Sequence, residues 1–204
     1  MSTSLPPVKR LRDTHAEATR LALLAAARAR FSEAGFAHTS LDEIAGDAGT
    51  TKGAVYHHFK DKKALFHAVY EALSQELIAA VASSRVREGT PADVALYAFL
   101  IHAGEPAYQR VLFKDGPVVL GTAECRVIDM RYSLGLITRL VEIQAPADLL
   151  AQPGSGILAQ LLLALLVESA QLIASSSDPA PVLDGIHVTL DRMIKALSSP
   201  PTQR

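Results

Sequence analysis

The amino-acid sequence predicts an all-α protein with a small N-terminal helical unit and a larger helical region behind it. Hydrophobic residues make up 49% of the chain and aromatic residues only 5%. The abundance of alanine and leucine favours packed helices over sheets. Residues with the preferences of helix starts stand in front of apolar segments with helical period. At 204 residues, the chain is long enough to bury a substantial core.

The first third of the chain is predicted to contain four helices after a short arm. Residues 1–13 lack helical periodicity and carry two prolines and three basic residues, so we expect a flexible basic arm there. The predicted N-caps of the four helices are Thr14, Ser40, Thr51 and Asp61. The second and third helices are short and flank a tight glycine-containing turn at 46–49, which is typical of a helix-turn-helix. We call residues 14–61 the head.

Residues 62–204, which we call the body, begin with the fourth helix and continue with longer helices. Thr90 and Pro91 mark a helix start, because proline is favoured at the first helical position. KDGP at 114–117 is interpreted as a turn. Further helices are predicted over about 122–143, 156–175 and 181–198, with Pro146, Pro153 and Gly154 breaking the chain between the first two.

The last two helices are predicted to bind a second copy of the chain. The final helix spaces its apolar residues three and four apart along one side, and the helix before it is apolar on most sides. A helix with one side exposed to solvent does not need apolar residues on most of its sides, so one face is expected to pack on a partner. The predicted dimer residues are Leu158, Leu162, Leu165, Leu172, Leu183, Ile186, Leu190, Met193 and Leu197. Polar Gln160, Glu168 and Gln171 interrupt the first of these helices, which favours a buried helix over a membrane span.

The net charge of −1 hides an asymmetry between the two parts of the chain. Residues 1–63 carry ten basic against seven acidic residues, and the remainder carries ten against fourteen. A basic N-terminal part favours a polyanionic partner there. The N-terminus has no secretion signal pattern, and a single cysteine, Cys125, fits a reducing compartment. We therefore expect a cytoplasmic protein.

The stretch TTKGAVYHHFKDKKAL at 51–66 gathers hydroxyl, imidazole, phenol and ammonium groups. A metal site is not expected, because His57 and His58 are adjacent and point about 100° apart on a helix. Neither an activated nucleophile nor a pair of spaced carboxylates appears in the chain, so the sequence predicts no enzyme activity and no cofactor.

Contact with DNA accounts for more of these residues together. Gly53 and Ala54 are small enough for the backbone to approach a duplex closely. The donors of Thr51, Lys52, Tyr56 and His57 suit phosphates or base edges. Lys60, Lys62 and Lys63 continue the positive strip toward the fourth helix. The sequence therefore predicts a recognition helix over this stretch.

About fifty residues of this region carry a specific motif pattern. It consists of AA at 26–27, FSEAGF at 31–36, TS at 39–40, IA at 44–45, AG at 48–49, KG at 52–53, YHHF at 56–59, Lys63 and Leu65. The pattern resembles that of the tetracycline-repressor-like (TetR) family of transcriptional regulators, and RVLFKDGPVVLG at 110–121 is similar to segments found in some members. The resemblance implies a homodimer that binds a palindromic operator through the head and is released by a small effector bound in the body.

Carried over by position, the resemblance implies that the recognition helix faces DNA, that Thr39 and Lys63 hold phosphates, and that Val55 and Phe59 lie in the core. The full set of predicted DNA contacts is Thr39, Ser40, Thr50, Thr51, Lys52, Gly53, Ala54, Tyr56, His57, Lys60 and Lys63. Two positions depart from the pattern. Thr50 stands where a small aliphatic residue is usual, and Arg30 replaces a common leucine and is interpreted as reaching outward to phosphate.

The predicted effector site lies in the body and combines aromatic surface with a few polar groups. Its candidate residues are Tyr97, His102, Tyr108, Phe113, Met130, Tyr132, Glu168 and Gln171. A mainly apolar or aromatic effector is expected. Two alternatives remain open from the sequence: a helical DNA-binding architectural or adaptor protein without an inducer, and a small-molecule enzyme on a helical scaffold.

Overall fold

A computed structural model of the protein describes residues 7–84, 90–145 and 155–198, and within these ranges every regular element is helical. The prediction of an all-α fold is confirmed. The helices are α1 (Pro7–Glu33), α2 (Leu41–Asp47), α3 (Lys52–His58), α4 (Lys62–Ser83), α5 (Pro91–Ala103), α6 (Pro106–Tyr108), α7 (Gly116–Val119), α8 (Thr122–Gln144), α9 (Ser155–Ser175) and α10 (Pro179–Ser198). A π-helical turn, Gln109–Asp115, joins α6 to α7.

The predicted caps of α2, α3 and α4 are confirmed by their hydrogen bonds. The Ser40 hydroxyl accepts from the Glu43 amide, and the Glu43 carboxylate accepts from the Ser40 amide at 2.8 Å. Thr51 Oγ1 accepts from the Ala54 amide at 3.3 Å. Asp61 Oδ1 accepts from the Ala64 amide at 2.7 Å. These bonds satisfy backbone donors that the first helical turn leaves unpaired, so the starts of the three helices are fixed locally.

Two helix starts differ from the prediction by more than one residue. Helix α1 begins at Pro7 rather than after Thr14, so part of the predicted arm is helical. Proline at the first helical position is pre-organised for a helix, and the basic residues that follow are good helix formers. Helix α10 likewise begins at Pro179, two residues before the predicted start. The predicted arm residues 1–6 and the predicted break at Pro146, Pro153 and Gly154 lie outside the described residues.

The predicted turn KDGP at 114–117 is wrong, because the chain passes through it as helix. Pro117 lies in the first turn of α7, where the missing N–H costs no hydrogen bond. Gly116 is buried, and a Cβ built on it would come within 2.5 Å of Tyr70 Cε2. Position 116 therefore needs glycine because Tyr70 of α4 packs directly against its backbone. The presence of this glycine does not indicate a turn.

One continuous core runs from the head into the body. Phe31 of α1 and Phe66 of α4 pack edge to face at 5.2 Å, and Phe36 packs on Phe66 at the same distance. Val55 and Phe59 of α3 also belong to this core, as predicted. A smaller second cluster joins α8 to α9. Helix α4 thus belongs to the packing of both the head and the body.

Helix α9 is mainly apolar but is covered on one side only. Its segment Gly156–Ser175 is long and apolar enough to cross a membrane by length and composition alone, a test that core helices also pass, and 28% of it is buried within the chain. The chain itself therefore covers less than a third of this segment. Ile157, Leu161, Leu165 and Leu172 lie on the exposed side.

Candidate nucleic-acid interface and cavities of the body

The turn between α2 and α3 is held by backbone hydrogen bonds and one left-handed glycine. The Ala48 amide donates to the Ile44 carbonyl at 3.0 Å, and the Thr50 amide donates to the Ala45 carbonyl at 2.9 Å. Gly49 has φ of +63°, which glycine adopts without steric cost. The half-buried Thr50 therefore stabilises the turn through its backbone amide, which is bonded to Ala45. This geometry fixes the angle at which α3 leaves α2.

Helix α3 is anchored by one side and presents the other to solvent. Val55 is fully buried and Phe59 is nearly so, which ties the inner side to the core. Thr51, Lys52, Gly53, Tyr56 and His57 are exposed, and we call these five residues the recognition face. Tyr56 is 53% exposed although it is a large aromatic residue. Ala54 is half-buried at the edge of this face.

Gly53 has no internal reason to be glycine. A Cβ at this position would meet only Thr51 Oγ1, at an ordinary distance of 3.7 Å. Glycine within a helix costs about 1 kcal/mol relative to alanine. Since the chain itself leaves room for a side chain, the residue is consistent with close approach of another molecule to the α3 backbone.

The charges around the recognition face are partly neutralised within the head. Lys52 Nζ donates to Asp42 Oδ2 at 2.8 Å, and this hydrogen bond raises the pKa of Lys52. Both side chains are more than half exposed, so the pair can be exchanged for an outside anion at small cost. Lys60 and Lys63 are exposed at the turn into α4.

Thr39 and Arg30, for which phosphate contacts are predicted, and Lys62 of the predicted positive strip are engaged inside the head instead. Thr39 is 3% exposed and its hydroxyl donates to the Gly35 carbonyl at 2.8 Å, which corrects the prediction for its side chain. Lys62 donates to the Phe36 and Thr39 carbonyl oxygens at 2.8 and 2.9 Å. Arg30 pairs with Asp47 of α2 and does not reach outward. Ser40 is exposed, but its hydroxyl is engaged in the α2 cap.

The head is linked to the body by hydrogen bonds from the π-helical turn. Asp115 accepts from the Phe36 amide at 2.7 Å, and Arg110 donates to the Ala34 carbonyl at 3.2 Å. Sequence reasoning missed these contacts because their partners lie 79 and 76 positions apart. Both bonds end at the α1–α2 connection, so a shift of the turn acts directly on the helix-turn-helix.

Among the described residues, two cavities lie between the helices of the body and have Leu163 in common. The first, the apolar cavity, has a volume of about 120 Å³ and lies between α4, α5, α8, α9 and α10. Leu96, Phe99, Leu158, Leu162 and Leu190 are among its lining residues. Its walls offer dispersion contacts and few polar partners.

The second, the acidic cavity, has a volume of about 300 Å³ and lies between α4, the π-helical turn, α7, α8 and α9. Tyr70, Phe113, Asp129, Glu168 and Gln171 line it together with Cys125 and Arg126. The Tyr70 hydroxyl donates to Asp129 Oδ1 at 3.1 Å. Burial raises the pKa of Asp129 to about 6, and the hydrogen bond from Tyr70 partly offsets this.

The structure brings together three of the eight predicted effector residues, Phe113, Glu168 and Gln171, in the acidic cavity. The other five line neither cavity. Tyr97 is exposed beside His187, and His102 bonds Glu105 at 2.7 Å. Tyr108, Met130 and Tyr132 pack into the hydrophobic clusters. Tyr70 and Asp129 were missed, since they are 59 positions apart and meet only through the packing of α4 on α8.

The predicted dimer residues divide into two groups. Leu183 and Ile186 pack on the main core, Leu190 is buried, and Leu158 and Leu162 pack on the cluster between α8 and α9. These five residues therefore pack within the chain. An apolar stripe in the sequence does not specify which surface covers it, so the spacing alone could not distinguish the chain's own core from a partner. Leu165, Leu172 and Met193 are exposed, together with Ile157, Leu161 and Val188. The Leu197 side chain lies outside the described residues.

Within the part of the chain that the structure describes, no three His, Cys, Asp or Glu side chains come together as possible metal ligands.

Comparisons with known proteins cover both parts of the chain. Residues 90–197 match the family model of the tetracyclin repressor-like C-terminal domain, and residues 23–69 match that of the tetR family of bacterial regulatory proteins. The chain is similar to a TetR-family transcriptional regulator from Pectobacterium atrosepticum of known structure. The two are 31% identical with a TM-score of 0.76, over 92% of this chain and 98% of that one.

Two curated relatives are similar to less than a third of this chain. The transposon Tn10 TetC protein of Escherichia coli is 48% identical over 62 residues, which are 30% of this chain and 30% of that protein. The HTH-type transcriptional regulator AcrR of Shigella flexneri is 50% identical over 56 residues, 28% of this chain and 26% of that protein. These matches span less than a third of each curated relative.

Proposed function

The chain belongs to the tetR family of bacterial regulatory proteins, and on that premise we propose that it is a ligand-responsive transcriptional repressor. It binds a palindromic DNA operator as a homodimer and leaves the operator when a small molecule occupies the body. The observation that carries this proposal is the exposed recognition face of α3, with donors outward and Val55 buried behind them.

Helix α3 enters the major groove by its N-terminal end. The missing side chain at Gly53 lets the backbone approach the bases, and Tyr56 and His57 supply donors and flat surface. Lys52 exchanges Asp42 for a phosphate, and Lys60 and Lys63 contact phosphates beside the groove. Thr39 is left out of the contact set because its hydroxyl is buried.

A second copy covers the exposed side of α9. Ile157 and Leu161 are 58% and 59% exposed, and with Leu165 and Leu172 they form an apolar stripe on one helix side. Val188 and Met193 of α10 add exposed apolar surface. Binding of such a two-fold pair to successive major grooves requires the two α3 helices to lie about 34–36 Å apart.

Release of DNA follows from a ligand that favours a different arrangement of the body. The π-helical turn lines the acidic cavity with Phe113 and holds the α1–α2 connection through Asp115. Tyr70 places α4 in the wall of the same cavity. The ligand shifts the equilibrium between the DNA-binding and the released arrangement of the dimer by no more than the difference in its affinity for the two. A regulator of this kind works in the cytoplasm, where the operator is found.

Selection of random duplex DNA by the purified full-length chain tests the proposal. We expect enrichment of a roughly palindromic site whose half-sites are centred about 10 base pairs apart. Light scattering of the free protein is expected to give the mass of two chains. Recovery of sequence-independent DNA, with affinity set by salt alone, would contradict an operator-specific repressor. Specific binding that no small molecule weakens would instead support the architectural or adaptor alternative.

A further inference from the structure

The acidic cavity holds a carboxylate without a positive partner. Asp129 accepts one hydrogen bond, from the Tyr70 hydroxyl. Among the described residues, no lysine, arginine or histidine nitrogen lies within the 4.0 Å of an ion pair from its oxygens. Arg126 also lines the cavity, but it is exposed and does not pair with Asp129. Asp129 is half-buried, and removing an unpaired carboxylate even partly from water is costly, so an outside cation would stabilise it.

The remaining wall suits the rest of an organic molecule. Phe113 and Leu112 form an apolar side, and both are almost fully buried. Glu168 adds a second carboxylate at the exposed edge, and Gln171 adds an amide. The volume of about 300 Å³ reaches the range of small-molecule sites, whereas the apolar cavity, at about 120 Å³, is smaller.

We propose that the acidic cavity binds a small organic cation, whose ammonium group pairs with Asp129 and whose apolar part packs on Phe113. This inference rests on the proposed function, because it names the chemical class of the effector. The proposed effector is still mainly apolar, as expected from the sequence, but it also carries one positive charge.

Direct contacts connect this site to the head. An ammonium group at Asp129 competes with the Tyr70 hydroxyl for the same carboxylate. The Tyr70 ring packs against Gly116, where a Cβ would come within 2.5 Å of it. Gly116 follows Asp115, whose carboxylate holds the Phe36 amide. A shift of Tyr70 therefore acts on the residue pair that joins the body to the helix-turn-helix.

The test compares three indole compounds of similar size that differ in charge. Tryptamine is a cation, indole-3-ethanol is neutral and indole-3-acetate is an anion near neutral pH. Calorimetry with the full chain and no DNA is expected to show tryptamine binding at least about tenfold more tightly than indole-3-ethanol at pH 8, which corresponds to about 1.4 kcal/mol. The anion is expected to bind most weakly.

Asp129→Asn keeps the acceptor for Tyr70 and removes the charge, so the preference for tryptamine over indole-3-ethanol should disappear. The matched control is Asp184→Asn, on the exposed surface of α10, which should keep the full preference. Equal affinity for the cation and the neutral compound in the unchanged chain, preference for the anion, or no tryptamine binding up to about 1 mM overturns the proposal.

The pH dependence of the unchanged chain gives a second test that does not need a variant. The titratable and charged groups that face Asp129 are Tyr70 of α4, Cys125 and Arg126 of α8, and Glu168 of α9. The π-helical turn and α7 contribute only apolar residues to the lining. Burial raises the pKa of Tyr70 and of Cys125, so both stay neutral.

Protonation of Asp129, whose pKa is about 6, should weaken tryptamine binding between pH 8 and pH 5. Indole-3-ethanol binding should stay constant over the same range. A tryptamine affinity that does not change with pH overturns the proposal. Operator binding is measured separately without any compound, so its loss would overturn the proposed function, whereas operator binding without a cation preference overturns only the effector class.

Discussion

Replacing Asp129 by asparagine is expected to stabilise the folded chain at high pH. In the fold, burial raises the pKa of Asp129 to about 6, whereas its ordinary value is 3.8. The folded chain therefore binds this proton more tightly than the unfolded chain does. As the pH rises from about 4 to 7, the folded chain loses the advantage of the protonated form, and its stability falls. Asparagine does not titrate and keeps the acceptor for the Tyr70 hydroxyl.

The size of the effect follows from the two pKa values. A pKa of about 6 against 3.8 corresponds to at most about 3 kcal/mol of unfolding free energy above pH 7. For a chain of this length, this amounts to a rise in Tm of about 6–12 °C. The advantage of the variant should shrink toward zero near pH 4.

Urea unfolding at fixed protein concentration, at several pH values between 4 and 8, measures this difference. Asp184→Asn is the matched control, because Asp184 is exposed on α10 and its replacement should change stability little at any pH. The reasoning is refuted if Asp129→Asn is less stable than the unchanged chain at pH 8, or if the difference between the two is the same at pH 5 and pH 8.

Three further changes probe the proposed surfaces. Gly53→Ala should raise stability by up to about 1 kcal/mol and still weaken operator binding, because the Cβ has room within the chain but not against the DNA; operator affinity equal to that of the unchanged chain would contradict this. Asp42→Asn removes a carboxylate beside the recognition face and frees Lys52, so anisotropy should show several-fold tighter operator binding at low salt, a gain that fades at high salt. Leu161→Lys should shift light scattering toward the single-chain mass, whereas Val118→Lys, at a position 85% exposed on α7, should leave the dimer intact; dissociation of both or of neither would argue against α9 as the interface.

The parts of the fold that the sequence predicts are those with short-range causes. The caps Ser40, Thr51 and Asp61 act on amides three residues away, so their side chains indicate the helix starts directly. Val55 and Phe59 follow from helical spacing in the same way. The helical course through KDGP could not be predicted, because the close packing of α4 makes glycine necessary at 116.

The candidate sites were predictable to different degrees. The recognition face lies on one short helix, and neighbouring residues suffice to find it. The acidic cavity joins Tyr70, Asp129 and Phe113 from three elements, and local pattern does not reveal that they meet. The apolar stripe of α10 was visible in the sequence, but the structure packs Leu183 and Ile186 on the chain's own core. Periodicity identifies an apolar side and leaves its partner open.

Operator affinity with and without the recognition face tests the central claim most directly. Lys52→Ala with Tyr56→Ala removes two of its side chains, and Tyr97→Ala is the matched control, since Tyr97 is 50% exposed and Tyr56 53% exposed. In anisotropy titrations with the selected operator, the double variant should bind at least about tenfold more weakly, while Tyr97→Ala binds as the unchanged chain does. If the double variant binds the operator as tightly as Tyr97→Ala does, helix α3 is not the element that reads DNA.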